Sequence, residues 1–334
     1  MDAADYPDRS ATVVLGAAGF VGRAVCAALC AAGRPVTAVV RGVPDPDLPA
    51  GCRTVPLDLV RTAPDTLTGM LEALRPAVVV NAAGALWNAS DEELTEGNVT
   101  LVERLVRSVS ALSRPVRLVH IGSAYEYGAH PGRTRLTETL PGRPVSHYAR
   151  TKLAGTRIVV EAAAAGRLDA VVLRIAVAVG PWASPHSLLG GIARQLAAGP
   201  AVLRLPPIAG VRDVVDVRDV ADAVLSAARA HRVPPVVNIG SGAGVRLTDV
   251  VETLIRIAGP DAATVVPGPS PAVRRDAGVG EQPLDIGLAR RALGWVPTRT
   301  LTDALQALWE SVQPPANAAA LPSDLTVDGE SIHG

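Results

Sequence analysis

Ala11-Thr-Val-Val-Leu-Gly16-Ala-Ala-Gly19-Phe-Val-Gly22-Arg-Ala-Val-Cys-Ala-Ala-Leu-Cys30 is the stretch on which the fold turns. Residues 11–16 form a short β-branched run, which reads as a buried strand, and residues 20–32 read as an Ala-rich helix. Between them lie Gly16, Gly19 and Gly22. Glycines at such a junction allow a tight turn, let backbone N–H groups approach a diphosphate, and permit close helix–strand packing. The phosphate then meets the positive end of the helix. A glycine triplet alone is a weak signal, but strand, turn and helix in this order point to a nucleotide cofactor.

The same alternation continues outward. Residues 35–41, 53–59, 76–84, 115–123 and 169–180 read as strands, and residues 65–75, 91–113 and 146–166 as helices. Apolar runs rather than strict alternation mean strands covered on both faces, as in a parallel sheet flanked by helices. The expected fold is α/β, a doubly wound parallel sheet of the Rossmann type. After Gly180-Pro181 the rhythm is less regular, with helices at 187–198, 247–258 and 300–311 and a strand at 236–240. The expected division is a flexible N-terminus (1–9) and a dinucleotide-binding domain (10–180) whose sheet is completed by about 211–240. A smaller α/β substrate lobe (181–210 and 241–313) and a flexible tail (314–334) follow. No internal repeat is evident.

Among the 334 residues, 48% are hydrophobic, and 32 basic side chains balance 32 acidic ones. This balance argues against a nucleic-acid or anionic-membrane partner. The polar, acidic start is unlike a signal peptide, and no apolar run reaches the roughly 18 residues of a membrane span, so a cytoplasmic location is expected. Cys26, Cys30 and Cys52 show no paired metal-ligand spacing, and no metal is expected; Cys26 and Cys30 read as small packing residues one helical turn apart. The basic count hides an asymmetry: one residue, Lys152, is lysine and the other 31 are arginine. GC-rich coding accounts for the arginines but not for the remaining lysine.

That lysine closes Tyr148-Ala-Arg-Thr-Lys152, which places a phenol and an ammonium at i and i+4 on one helix face. A free tyrosine titrates near pH 10, and a nearby cation lowers that value toward useful proton exchange. Ser123 ends the preceding strand in His120-Ile-Gly-Ser123-Ala-Tyr-Glu-Tyr-Gly128. With the GxxGxxG spacing of residues 16–22, these motifs resemble the short-chain dehydrogenase/reductase superfamily, in its extended, nucleotide-sugar epimerase/dehydratase-like branch. The likeness runs from about residue 11 to 311. It includes Leu173-Arg-Ile-Ala-Val177-Ala-Val-Gly180-Pro181, Arg212-Asp-Val-Val-Asp216, Asn238-Ile-Gly-Ser-Gly242 and Asp285–Pro297.

The resemblance implies that Ser123, Tyr148 and Lys152 are catalytic. Tyr148 exchanges the proton, Ser123 orients the substrate oxygen, and Lys152 also bonds the nicotinamide ribose. It implies that Gly16, Gly19, Phe20, Val21, Gly22, Asp58, Leu59, Ala82, Ala83 and Gly84 hold the cofactor together with Tyr148 and Lys152. NAD users place an acid at the end of the second strand; here stands Arg41, with Arg23 as a second cation, so NADP(H) is favoured, with NAD(H) the alternative. Ser123, Ala124, Tyr125, Val177 and Arg212 fall at substrate positions. Dehydratases of this branch carry an acid pair where this chain has Ala124 and Tyr125, so dehydration is disfavoured, with Glu126 one place later as the residual acid. Val177 replaces the asparagine of LRxxNxxGP, which weakens a 4-epimerase reading. Trp87, Trp182 and His186 fall in loops near the expected site mouth and read as packing residues. Charges around Asp219 read as a solvated helix start.

The leading expectation is NADPH-dependent reduction of a keto group, at C4, on a nucleotide-activated deoxysugar. One alternative is a nucleotide-sugar epimerase with tightly bound NAD. Another is a non-catalytic dinucleotide-binding protein, disfavoured because Ser, Tyr and Lys are all in register. Family members often pair two helices per subunit, which implies a homodimer through 91–113 and 147–166.

Overall fold

A computed structural model describes residues 11–313 except 44, 87, 132–133, 200–201, 206, 260–263 and 269–282. The two expected flexible ends, 1–9 and 314–334, and Trp87 lie outside the described residues. In chain order the elements are β1 (Thr12–Leu15), α1 (Phe20–Ala31), β2 (Val36–Val40), β3 (Cys52–Pro56), α2 (Pro64–Leu74) and β4 (Val78–Asn81). Next come α3 (Asp91–Thr95), a π turn (Glu96–Thr100), α4 (Leu101–Ser110), β5 (Arg117–Ser123), a 3-10 turn (Ala124–Glu126) and α5 (His147–Ala164). Then follow β6 (Asp169–Ile175), β7 (Val177–Val179), α6 (Leu188–Ala197), β8 (Val202–Leu205), β9 (Val211–Asp216) and α7 (Val217–Arg229). The last described elements are β10 (Val236–Ile239), β11 (Gly244–Arg246), α8 (Leu247–Ala258), β12 (Thr264–Pro267), α9 (Gly287–Leu293) and α10 (Leu301–Val312).

Seven strands form the central sheet in the order β10-β6-β5-β4-β1-β2-β3, and every neighbouring pair is parallel. β1, β4 and β5 are buried along their whole lengths, as runs such as Val78-Val-Val require when helices cover both faces. The chain winds outward from β1 to β3 on one side and from β4 to β6 on the other. A crevice therefore opens between the carboxyl ends of β1 and β4, the switch point where doubly wound sheets bind ligands.

Two expectations about the sheet are corrected. Residues 169–180 are not one strand: Ala176 donates its N–H to Ile239 O at 2.8 Å. β7 then departs to pair with β9. Likewise, of residues 211–240 only β10 completes the central sheet; β9 lies in a separate three-stranded sheet of order β11-β9-β7. A third cluster of buried side chains, including Leu189, Ile192, Leu203, Val250, Leu254, Leu305 and Leu308, joins α6, α8 and α10 to this second sheet and to β8. The presumed solvated helix start at α7 is buried instead. Asp219 is 1% exposed and accepts hydrogen bonds from Thr298 Oγ1 (2.9 Å), Arg299 N (3.0 Å) and Arg299 Nη1 (2.6 Å). Among the described residues, no helix is long and apolar enough to cross a membrane.

Candidate active site

The glycine turn follows β1 and faces the turn after β4. Gly16 has φ +73°, and a Cβ there would lie 2.7 Å from the Ala83 backbone. A Cβ on Gly22 would lie 2.2 Å from Gly16 O. These two positions therefore require glycine, one for conformation and approach, the other for contact. Gly19 is the N-cap of α1 and supplies no side-chain cap. The first N–H groups of the helix thus remain available to an anion.

In front of this turn lies a cavity of about 780 Å³, bounded by Gly16, Gly19, Arg41, Asp58, Leu59, Ala82, Ala83 and Gly84 among others. Its size, its side-chain-free floor and its position at a helix N-terminus fit a dinucleotide cofactor. Phe20 and Val21 pack their side chains against the core, so what they and Gly22 can offer the cavity is their backbone N–H groups at the start of α1. Arg41 is exposed at the end of β2 and borders the cavity. Arg23 does not present a free second charge: it is ion-paired with Asp45, and with Asp47 at 3.0 Å. Asp58 borders the cavity while its carboxylate caps Val60 N at 3.0 Å. His186, expected to be a packing residue, is exposed and borders the cavity beside Ser184. Trp182 does pack against the core.

The expected uninterrupted helix over 91–113 is broken by the π turn, and this break places a residue that sequence reasoning missed. Asn98 is 3% exposed. Its Oδ1 accepts from Ala85 N at 3.1 Å, and its Nδ2 donates to Ala85 O at 3.0 Å and to Thr151 Oγ1 at 3.2 Å. It thereby ties the loop after β4 to α5, one residue before Lys152. A buried asparagine next to Gly97 inside an amphipathic run was the available signal.

Ser123 ends β5 opposite Ile175 of β6, and Tyr148 is the second residue of α5, whose N-cap Ser146 accepts from Ala149 N at 3.2 Å. Ser123 faces the Tyr148 phenol closely enough to favour its ionised form, and Ser123 Oγ accepts from Tyr125 N at 3.3 Å. Lys152 Nζ donates to Ile121 O at 2.6 Å, two residues before Ser123 on the same strand. The fold thus brings Ser123, Tyr148 and Lys152 together. The expectation that a nearby cation lowers the Tyr148 phenol is corrected. Burial pushes it up to about 12, Ser123 opposes this, and the charge of Glu126 adds to it. Burial also lowers Lys152, against an opposing pull from Glu126.

Glu126 is not a spare acid. It is fully buried, and its Oε1 accepts from Ser123 N (2.8 Å) and Thr156 Oγ1 (2.9 Å). Its Oε2 pairs with Arg174 Nε at 2.7 Å. A carboxylate engaged on both oxygens and shut off from solvent is committed to holding the fold. The Arg174 guanidinium lies 4.6 Å over the Tyr127 ring, and Tyr127 donates its hydroxyl hydrogen to Asn238 Oδ1 at 2.8 Å.

Ala124 and Tyr125 are half-buried on the 3-10 turn, where the Tyr125 ring meets Tyr148 edge-on with centroids 6.0 Å apart. Val177 starts β7 opposite Val214. Arg212, on β9, is 8% exposed; its Nη1 donates to Val211 O at 2.7 Å and its buried Nε has no partner among the described residues. Neighbouring Asp213 faces the other way and accepts from Ser241 N and Oγ (both 2.7 Å), Gly242 N (3.1 Å) and Leu284 N (3.1 Å). It anchors the turn after β10.

A glycine-floored crevice beside a Ser–Tyr–Lys cluster on a doubly wound sheet defines a dinucleotide-dependent enzyme of the short-chain dehydrogenase/reductase type. The chain belongs to the NAD dependent epimerase/dehydratase family, whose model matches residues 12–240. It is 43% identical over 306 residues to a dTDP-6-deoxy-L-talose 4-dehydrogenase (NAD(P)(+)) of Kitasatospora kifunensis, covering 89% of this chain and 93% of that protein. Among solved structures it is similar to the Thermus thermophilus UDP-glucose 4-epimerase in complex with NAD. That match has TM-score 0.78 and 25% identity over 90% of this chain and 98% of that one. A second structural relative is MoeE5 in complex with UDP-glucuronic acid and NAD, with TM-score 0.74 and 26% identity over 90% and 98% of the two chains.

Proposed function

We propose that the chain interconverts a ketone and an alcohol at C4 of a dTDP-activated 6-deoxyhexose, working as an NADPH-dependent ketoreductase. The observation that carries this reading is the Ser123–Tyr148–Lys152 cluster, beside which Glu126 is no free acid because Ser123, Thr156 and Arg174 engage it. An elimination of water needs such an acid; a proton transfer coupled to reduction needs only the phenol. The similarity to a dTDP-6-deoxy-L-talose 4-dehydrogenase supports the sugar class and the carbon.

The bound cofactor would supply the hydride. The protein's own residues do the rest. The Ser123 hydroxyl orients the carbonyl oxygen, Tyr148 gives its phenolic proton to that oxygen as it becomes an alkoxide, and the Lys152 ammonium stabilises the phenolate left behind. A phenol held protonated near neutral pH suits the donating direction. Ala124, Tyr125 and Val177 are assigned to the deoxysugar, and Arg212, with its unpartnered Nε, to the diphosphate. Arg41 at the end of β2 favours the 2′-phosphate of NADPH.

Mixing the purified protein with a dTDP-4-keto-6-deoxyhexose and NADPH should consume NADPH and yield the dTDP-6-deoxysugar. No oxidation of NADPH with any such sugar would overturn the reading. The fold it shares with an NAD-bound UDP-glucose 4-epimerase keeps one rival: an epimerase would purify with NAD in place and invert the sugar with no added cofactor. Pairing of two copies through α4 and α5 belongs to the same reading, and light scattering at twice the chain mass is its check.

A further inference from the structure

We propose that Glu126, with Arg174 as its counter-charge, is a positioning residue for the reaction, holding Ser123 from behind and tying its strand to the helix that carries Tyr148. The inference rests on the assignment of Ser123 and Tyr148 above and goes beyond it, since Glu126 meets neither substrate nor cofactor.

The geometry is specific. Ser123 ends a strand, and its backbone N–H would have no sheet partner at that point. Glu126 Oε1 takes that N–H at 2.8 Å while Ser123 Oγ accepts from the turn, so the serine is gripped through both backbone and side chain. The same Oε1 accepts from Thr156 on α5, two turns beyond Tyr148. One carboxylate therefore fixes the strand end carrying Ser123 against the helix carrying Tyr148 and Lys152. Gly122 leaves the room for this: a Cβ there would lie 2.9 Å from Glu126 Oε1 and 2.8 Å from a Val172 methyl. Arg174, 7% exposed at its side chain, neutralises the carboxylate at 2.7 Å. It is itself held over Tyr127, whose hydroxyl bonds Asn238 of β10. The support thus reaches across three strands of the central sheet.

The charge of Glu126 also bears on when the Tyr148 phenol releases its proton, adding to the upward push of burial. The groups that bear on Tyr148 are Ser123 at the end of β5 and Tyr125 and Glu126 on the turn, while Lys152, one turn on along its own helix, gives its ammonium to Ile121 O. The preceding residue, His147, faces Asp91 of α3 at 3.9 Å. Of these groups around the phenol, Glu126 is the one both negative and sealed from water, so bulk solvent does little to screen it and Arg174 is what balances its charge. Replacing it with glutamine keeps the shape and the acceptor oxygen for Ser123 N–H while removing the charge. This exposes Tyr148 to an uncompensated Arg174.

The test measures kcat and KM against pH with a dTDP-4-keto-6-deoxyhexose and NADPH, for the wild type, Glu126→Gln, Glu126→Asp and Tyr148→Phe. In Glu126→Gln the alkaline limb for reduction, which requires the protonated phenol, should move down by about one pH unit, as a lost neighbouring charge does. Its kcat should fall about tenfold with KM for the sugar nucleotide within about twofold, as expected of a displaced proton donor. Glu126→Asp retains the charge but has a shorter reach, so its kcat should fall while its alkaline limb stays in place. A folded Glu126→Gln with the wild-type profile and kcat overturns the inference. If Glu126→Gln does not fold, Thr156→Val removes one hydrogen bond and leaves both charges. Its kcat must then fall severalfold at unchanged KM, and a wild-type kcat overturns the inference. Tyr148→Phe separates the two levels: if it keeps activity, the assignment of the site itself fails, whereas an inactive Tyr148→Phe beside a wild-type Glu126→Gln defeats the Glu126 inference alone.

Discussion

The buried Ser–Tyr–Lys cluster with its supports and the rim of the cavity, the inner and outer ends of the site, are built differently. At the inner end, Ser123, Lys152, Glu126 and Arg174 are all less than 9% exposed, and each carboxylate oxygen or cation has a named partner within 3 Å. At the outer end, Arg41 is exposed, Asp58 is half-buried, and Arg23 is bound by Asp45 and Asp47 on the loop after β2. Chemistry is thus assigned to a region that packing holds in one arrangement, and cofactor choice to a rim of solvated charges. Changes at the inner end should alter turnover greatly and resist salt. Changes at the rim should alter affinity modestly and fade as salt screens them.

The largest effect is expected at Tyr148. Tyr148→Phe should lower kcat on the order of a thousandfold with little change in KM, because the ring remains and only the proton is lost. Next is Gly22→Ala, where the added methyl would lie 2.2 Å from Gly16 O. Fluorescence titration should show NADPH binding weakened about a hundredfold while circular dichroism stays native, as expected when a diphosphate turn is displaced. At the rim, Arg41→Asp should shift the ratio of NADPH to NADH dissociation constants roughly tenfold toward NADH in low salt, and less in high salt. An unchanged ratio would remove Arg41 from cofactor choice. The smallest change comes from Asp45→Asn with Asp47→Asn. Releasing Arg23 from its ion pairs should tighten NADPH binding by about threefold and leave NADH binding alone, the scale of an exposed charge pair.

Burial acts on acidity alike at the catalytic cluster and in the core behind the glycine turn. Burial raises Tyr148 from 10.0 to about 12 and Cys26 from 9.0 to about 12. For such groups the folded state binds more protons than the unfolded one above the unfolded value. Their contribution to stability is therefore present below about pH 9–10 and is lost as pH rises toward 12. Thermal melts between pH 9 and 11 should fall more gently for Cys26→Ala than for the wild type. Parallel slopes would argue that Cys26 is not sealed as the structure has it.

Much of this was legible in the chain itself. The run from Thr12 to Gly22 announces strand, glycine turn and helix, because local periodicity and glycine sterics act over a few residues. Lys152 stands out as the one lysine among arginines, and Tyr148 lies one turn before it. What escaped depends on contacts far apart in sequence. Nothing near Glu126 tells that Arg174 will lie against it, 48 residues later, so a buried structural acid looked like a spare catalytic one. Asp219 looked solvated because Thr298 and Arg299, which enclose it, come some 80 residues later. The break at Ala176 is set by Ile239 O, and the π turn at Asn98 by Ala85 and Thr151, none of which a helical or strand period encodes. The Tyr148 phenol is pushed up rather than down because burial is the largest influence on it, and burial is a property of the whole fold.

The central claim is that a proton from Tyr148 accompanies net reduction at C4 of a nucleotide-bound deoxysugar. It is tested most directly with NADPH carrying deuterium at the transferable position of its nicotinamide and a dTDP-4-keto-6-deoxyhexose, with the product read by mass spectrometry and NMR. The account predicts one deuterium per sugar, at C4, with one NADP⁺ formed for each, and none of this in Tyr148→Phe. An inverted sugar without deuterium, with the added NADPH unspent, would contradict it.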